Sequence, residues 1–140
     1  MVQYRAMHEK IALALLQSAL ERSWSQETSA APNWSRQNPA QGQCAVTALI
    51  VQDFFGGRLL KTKAQVGEGI SHIYNELPNG VVVDLTASQF PKGTLFSTPD
   101  YRVRDSVFER KGNRERYELL KKRVLSILIP EKGEKEAKRL

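Results

Sequence analysis

The chain holds one cysteine, Cys44, and only two histidines, His8 and His72. A single cysteine excludes an internal disulfide, so the fold is not built on oxidation. That usage fits a cytoplasmic protein. One cysteine and two distant histidines lack the ligand spacing of a zinc site, and neither a metal nor an organic cofactor is expected. No run approaches the roughly 18 apolar residues of a membrane span, so no membrane partner is expected. Met1-Val2-Gln3-Tyr4-Arg5 has no basic region leading into an apolar one, so no signal peptide is expected. A glycine-rich phosphate loop, a serine-centred elbow and an internal repeat are also missing.

What is present suits one soluble domain. The 140 residues are 41% hydrophobic and 26% charged, ordinary values for a chain with a real core. The net charge of +6 is uneven: residues 1–100 hold 8 Lys/Arg and 8 Asp/Glu, whereas residues 101–140 hold 13 and 7. A basic end attracts nucleic acid when it forms a patch. Here glutamates are interleaved and aromatics are few, so it reads as a solvated helix and tail. The expected organisation is one globular domain over 1–130 and a disordered charged tail over 131–140.

The stretch from Gly42 to Gly57, Gly-Gln-Cys-Ala-Val-Thr-Ala-Leu-Ile-Val-Gln-Asp-Phe-Phe-Gly-Gly, organises the rest. Its middle is apolar almost all round, which predicts a buried helix over Cys44–Phe55. Gly56 and Gly57 suit the cap and exit turn. Cys44 stands where that helix begins. The free N–H groups and positive dipole end at such a place favour a thiolate.

Before it, Tyr4, Met7, Ile11, Leu15 and Ala19 follow helical spacing, with Leu16 and Leu20 widening the stripe. His8 lies beside that stripe, where a lone histidine is ordinarily exposed or satisfied. From Ser23 to Gln43 the pattern breaks, with Pro32 and Pro39 forbidding a continuous helix. A loop of about 20 residues in a compact domain is uncommon unless it has a job. Trp24 and Trp34 pin it, and it forms one wall of a cleft, with Tyr74 and Asn75 contributed from a strand.

After the buried helix, Arg58–Lys63 reads as a strand. Ile70–Leu77 and Val81–Leu85 read as a hairpin around Pro78-Asn79-Gly80. A three-residue loop pairs Leu77 with Val81. His72, Tyr74, Glu76, Val82, Asp84 and Thr86 then share one face, while Ile73, Leu77, Val81, Val83 and Leu85 share the other. This register makes His72 and Asp84 diagonal neighbours within side-chain reach. A two-residue turn would shift the parity and separate them. A short strand over Tyr101–Arg104 and a helix over Asn113–Ile129, with Tyr117, Leu120, Val124 and Leu128 inward, complete the chain.

Thiol-dependent acyl chemistry needs a thiolate, an imidazole and a group that orients the imidazole. Cys44, His72 and Asp84 supply these residue types on suitable elements. The bland reading makes Cys44 a small buried hydrophobe, His72 a sheet residue and Asp84 a strand-end acid. An oxyanion donor is also needed. The Cys44 N–H is one candidate, and Gln37, Asn38, Gln41 and Gln43 are side-chain candidates.

The quoted helix, together with Ser71-His72-Ile73-Tyr74-Asn75-Glu76-Leu77-Pro78-Asn79-Gly80, Val83-Asp84-Leu85-Thr86-Ala87-Ser88-Gln89-Phe90 and Arg116-Tyr117-Glu118-Leu119-Leu120-Lys121, resembles the YunG-like family of small bacterial proteins. The likeness covers roughly residues 20–128 and implies a fold more than a reaction. More distantly, a helix-start cysteine followed by a strand histidine and Asp-Leu-Thr is similar to the papain-like and transglutaminase-like superfamily. That resemblance implies Cys44 as nucleophile, His72 as base and Asp84 as orienting acid. Asn38 holds the spacing nearest to the papain-type oxyanion glutamine, with Gln37 and Gln41 off-register.

The expectation is therefore an α+β domain, a small antiparallel sheet packed against helices. Its expected function is cysteine-dependent hydrolysis or acyl transfer on a peptide, amide or other acyl substrate. The alternative is a non-enzymatic interaction module using the Trp24 and Trp34 loop as its contact surface.

Overall fold

The computed structural model describes residues 2–130, with side chains from Glu9 onward. Helix α1 spans Val2–Ser23, α2 Cys44–Phe55, α3 Arg104–Val107 and α4 Asn113–Leu128. Strands β1 (Arg58–Ala64), β2 (Ile70–Glu76), β3 (Val82–Val83) and β4 (Asp100–Arg102) form an antiparallel sheet in the order β3-β2-β1-β4. Single 3-10 turns lie at Gln26–Thr28 and Ala87–Gln89. The class is α+β. The expectations for His8 and for residues 131–140 lie outside the described residues.

Helix α2 is the centre of the core. Six consecutive residues, Val46 to Val51, are buried, so every side of its middle two turns is covered. Helices α1 and α4 supply Leu16, Ala19, Leu20, Tyr117, Leu120 and Val124 to the same core. Burying each of the larger side chains contributes about 1.5–3 kcal/mol. On the sheet side, Asn75 of β2 donates its Nδ2 to the Ala48 carbonyl at 2.9 Å, fixing the strand to the helix by a buried bond. At the far end Asp53 binds Arg104 at 2.8 Å and Lys121 at 2.9 Å and accepts from the Tyr117 hydroxyl.

The hairpin has the three-residue register. Leu77 N–H donates to the Val81 carbonyl at 2.8 Å, and Asn75 pairs with Val83. Parity then places Leu59, Asn75 and Val83 toward α2, and Leu60, Thr62, His72 and Tyr74 on the opposite face.

Three expectations require correction. Ile11 and Leu15 are each 57% exposed, and the buried face of α1 is Leu16, Ala19, Leu20 and Ser23. This helix packs on α4 through its last two turns, and that stripe wins over the neighbouring one. Val81 is exposed rather than part of the apolar face, because β3 is a short edge strand. The strand near residue 101 is Asp100–Arg102, and Arg104 instead opens α3.

Gly42 joins the long loop to α2 with a positive φ of 73°. A Cβ there would lie 2.2 Å from Ser29 Oγ and 2.5 Å from Ala31 N, inside van der Waals contact. Gly42→Ala is expected to lower stability by about 2 kcal/mol or more. The urea midpoint should fall with an unchanged slope, and an unaltered midpoint would contradict the crowding described.

Candidate functional site

The sequence just before α2 and the segment after β3 meet at one end of the sheet. Strand β3 stops at Val83, so β2 has no partner on that side at the level of His72. The chain turns away there through Asp84 and the 3-10 turn at Ala87–Gln89.

His72 and Asp84 meet as the three-residue register requires, with Nε2 and Oδ2 2.6 Å apart. Asp84 is held in turn: its Oδ1 accepts from the Thr86 N–H at 3.3 Å and from the Thr86 hydroxyl at 3.4 Å. Gln89 donates its Nε2 to the Thr86 carbonyl at 3.1 Å and hydroxyl at 3.2 Å. Its Oε1 accepts from the Gly42 N–H at 3.4 Å, and its backbone carbonyl accepts from Asn38 Nδ2 at 3.1 Å. A continuous set of polar contacts thus runs from the imidazole to the residues preceding Cys44.

The His72 ring is fully buried, at 0% exposure. Tyr74 stacks on it at 5.6 Å between centroids, Phe90 meets it edge-on at 4.9 Å and Phe96 lies 5.9 Å away. Its second nitrogen, Nδ1, is buried and has no hydrogen-bond partner. Burial pulls the imidazole pKa down, but the bond to Asp84 and the nearby Cys44 sulfur together outweigh it, raising the value to about 9. His72 Nδ1 has no hydrogen-bond partner, so no such bond joins it to Cys44.

Cys44 is half-buried and lines a cavity of about 500 Å³. Ala31 and Pro32 of the long loop face it, with Ile70 and Ser71 of β2 and Gln89 and Phe90 of the following segment. His72 is not among the lining residues, whereas Phe90, which meets its ring edge-on, is. Among the described residues no group of three or more His, Cys, Asp or Glu is placed to hold a metal ion. No helix among them is long and apolar enough to cross a membrane.

The remaining candidates separate. Gln41 lines the cavity, with its amide on Asn33 Oδ1 at 3.2 Å. Asn38 is committed to Gln89, and Gln43 is buried with its Nε2 on the Ser25 carbonyl at 2.9 Å. Gln37 is exposed and does not line the cavity. The Cys44 N–H, at the first helical position, has no intrahelical acceptor.

The expected cleft wall is largely elsewhere. Trp24 is 8% exposed and donates to Thr47 Oγ1 at 3.0 Å, because an indole of that size is worth more in the core. Asn75 is buried against α2, and Trp34 bonds the Pro39 carbonyl at 2.9 Å without lining the cavity. Tyr74 covers the ring of His72 instead of the cavity. Sequence reasoning missed the roles of Thr86, Gln89, Phe90 and Phe96. No local signal marked the first three, because Asp84-Leu85-Thr86-Ala87-Ser88 alternates polar and apolar residues as a strand would.

A sequence profile for the family described as YunG protein matches residues 12–128. Over 71 residues the chain is 45% identical to a protein of Bacillus subtilis (strain 168) described as "Uncharacterized protein YunG". That alignment covers 51% of this chain and 56% of the relative, so the chain spans about half the length of the curated relative it matches. No solved structure matches the chain.

The imidazole makes stability depend on pH. Its folded pKa of about 9 lies above the ordinary 6.5, so the protonated ring is favoured by folding. That contribution is complete below pH 6.5 and is lost as pH rises through about 9. It is on the order of 3 kcal/mol. Urea unfolding of the wild type should weaken across this window. Asp84→Asn should flatten the profile, and a mutant profile as steep as the wild type would show that another group is responsible.

Proposed function

We propose that this chain, which belongs to the YunG family, is a cysteine-dependent hydrolase or acyltransferase acting on an amide, thioester or isopeptide bond. The observation that carries this reading is a 2.6 Å His72–Asp84 bond on a ring whose other nitrogen is buried without a partner. A protonated imidazole has two N–H donors. Asp84 takes one, and leaving the other unpaired in the interior costs about 1–3 kcal/mol or more. An anionic sulfur at Cys44 is the acceptor that would satisfy it. The order Cys44, His72, Asp84, with the thiol at a helix start and the imidazole on a strand, supports an arrangement of the papain-like or transglutaminase-like kind.

The His72–Asp84 bond and the raised imidazole pKa support one division of roles. An imidazole already protonated at neutral pH does not start as a base. It starts as the positive partner of a thiolate. In the first step Cys44 Sγ forms a bond to the substrate carbonyl carbon, and the oxygen takes the negative charge. The Cys44 N–H would stabilise that charge, with Gln41 of the cavity wall as the side-chain donor if it leaves Asn33. As the carbonyl re-forms, the bond to the leaving group breaks, and the leaving group takes the proton from His72, a step that requires the ring to be reached past Phe90 from the cavity. A water or an acceptor amine then loses a proton to His72 and attacks the thioester. Cys44 leaves as thiolate beside a ring again protonated. Asp84 keeps the tautomer and orientation throughout. Trp24 is committed to the core, so it offers nothing to the alternative of a tryptophan-lined contact surface.

Alkylation by iodoacetamide tests the pairing. Cys44 in the wild type should react rapidly well below the ordinary thiol pKa of about 8.5. His72→Ala should slow the reaction at pH 6–7 by about ten-fold or more. Near-ultraviolet circular dichroism checks that the mutant is folded. Slow alkylation with an ordinary thiol profile, unaltered by the mutation, would sink the enzyme reading.

A further inference from the structure

Among the residues lining the Cys44 cavity, only Arg110 is charged. The rest of the wall is either apolar, as at Pro32, Val66 and Phe90, or neutral and polar, as at Gln41. Arg58, Arg104 and Arg123 pair with Glu76, Asp53 and Glu27. Arg110 has no such carboxylate partner among the described residues. It projects from the turn between α3 and α4, where its carbonyl accepts from the Asn113 N–H at 3.1 Å. The side chain is thus not required to hold that turn. Arg116 stands in the same field. Its guanidinium is held below the ordinary pKa by burial first and by the charge of Arg110 second, with Glu115 offsetting part.

We infer that the cavity selects an acyl compound with an apolar body and a carboxylate, and that Arg110 receives the carboxylate. The inference deepens the proposed function, since it takes Cys44 as the reacting atom. A cavity of about 500 Å³ is within the range of small-molecule sites, whose walls are mostly apolar with a few polar groups that set orientation. A guanidinium suits a carboxylate through its planar fork of donors. A cationic substrate would meet like charge at Arg110 with no acidic lining residue to receive it.

Matched maleimides test this without a known substrate. N-ethylmaleimide is compared with maleimidoacetic, maleimidobutyric and maleimidohexanoic acids, which share the reacting group and differ in the reach of the carboxylate. Each rate at Cys44 is divided by the rate toward N-acetylcysteine amide. The acid-to-neutral ratio should be about two- to five-fold higher in the wild type than in Arg110→Ala, the size expected of an exposed ion pair. It should survive in Arg110→Lys and in Lys122→Ala, which removes the same net charge outside the cavity. It should also fall with salt. Equal ratios in the wild type and Arg110→Ala at every length would overturn the assignment, as would an equal loss in Lys122→Ala. Failure of the enzyme reading appears separately, as slow His72-independent reaction with the neutral reagent, and leaves the charge ratio readable.

Discussion

A helix with six consecutive buried residues must be covered on every side. That constraint on α2 governs the arrangement of the whole domain. The sheet covers one side through β2, and α1 and α4 cover the others. Water is then excluded from the middle of α2, so polar contacts on it must be complete. The Asn75 bond to the Ala48 carbonyl is one such contact, and it also fixes the height of β2 along α2. Because β2 carries His72 three residues earlier, the same bond sets where the imidazole stands relative to the start of α2. The candidate site therefore inherits its geometry from the core and not from loop preference.

The legible parts of the sequence were those governed by short-range rules. The limits of α2 could be read because apolar residues begin at Cys44 and a Gly-Gly pair follows Phe55. The His72–Asp84 contact could be read because Pro78-Asn79-Gly80 fixes loop length, loop length fixes parity, and parity decides which side chains share a face. What could not be read depended on distant packing. Nothing local distinguishes the stripe through Ile11 and Leu15 from the one through Leu16 and Leu20, since both are apolar at helical spacing. Only the docking of α4 chooses. Trp24 likewise looked available for a cleft until its partner Thr47, 23 residues on, was in place. The cavity gathers residues from positions 30–45, 66–71, 89–91 and 110, a set that no periodicity connects.

The environment of His72 sets two effects against each other. Full burial among Tyr74, Phe90 and Phe96 disfavours a charged ring. A short bond to Asp84 favours it, and the carboxylate prevails together with the sulfur. The aromatic rings are not neutral bystanders here. Their faces carry partial negative charge, so a stacked ring such as Tyr74 costs a cation less than an aliphatic wall would. Only the imidazole side of the bond to Asp84 is closed to water, since the carboxylate side chain keeps 23% of its surface exposed.

Thr86 and Gln89 show why the two halves of the site are not independent. Gln89 donates to Thr86 on one side and accepts from the Gly42 N–H on the other, while its carbonyl binds Asn38. Through Thr86 the first side reaches Asp84 and the ring. Through Gly42 the second reaches the turn that delivers Cys44. Gly42 is also tied to the long loop, its carbonyl accepting from the Ala30 N–H at 2.9 Å, and Ser29 and Ala31 fill the space a Cβ there would need. A displacement of the 86–90 segment must therefore move the carboxylate and the cysteine-bearing turn together, or break bonds to one of them. Single-residue truncations at Thr86 and Gln89 should for that reason be non-additive, as expected for members of one polar network.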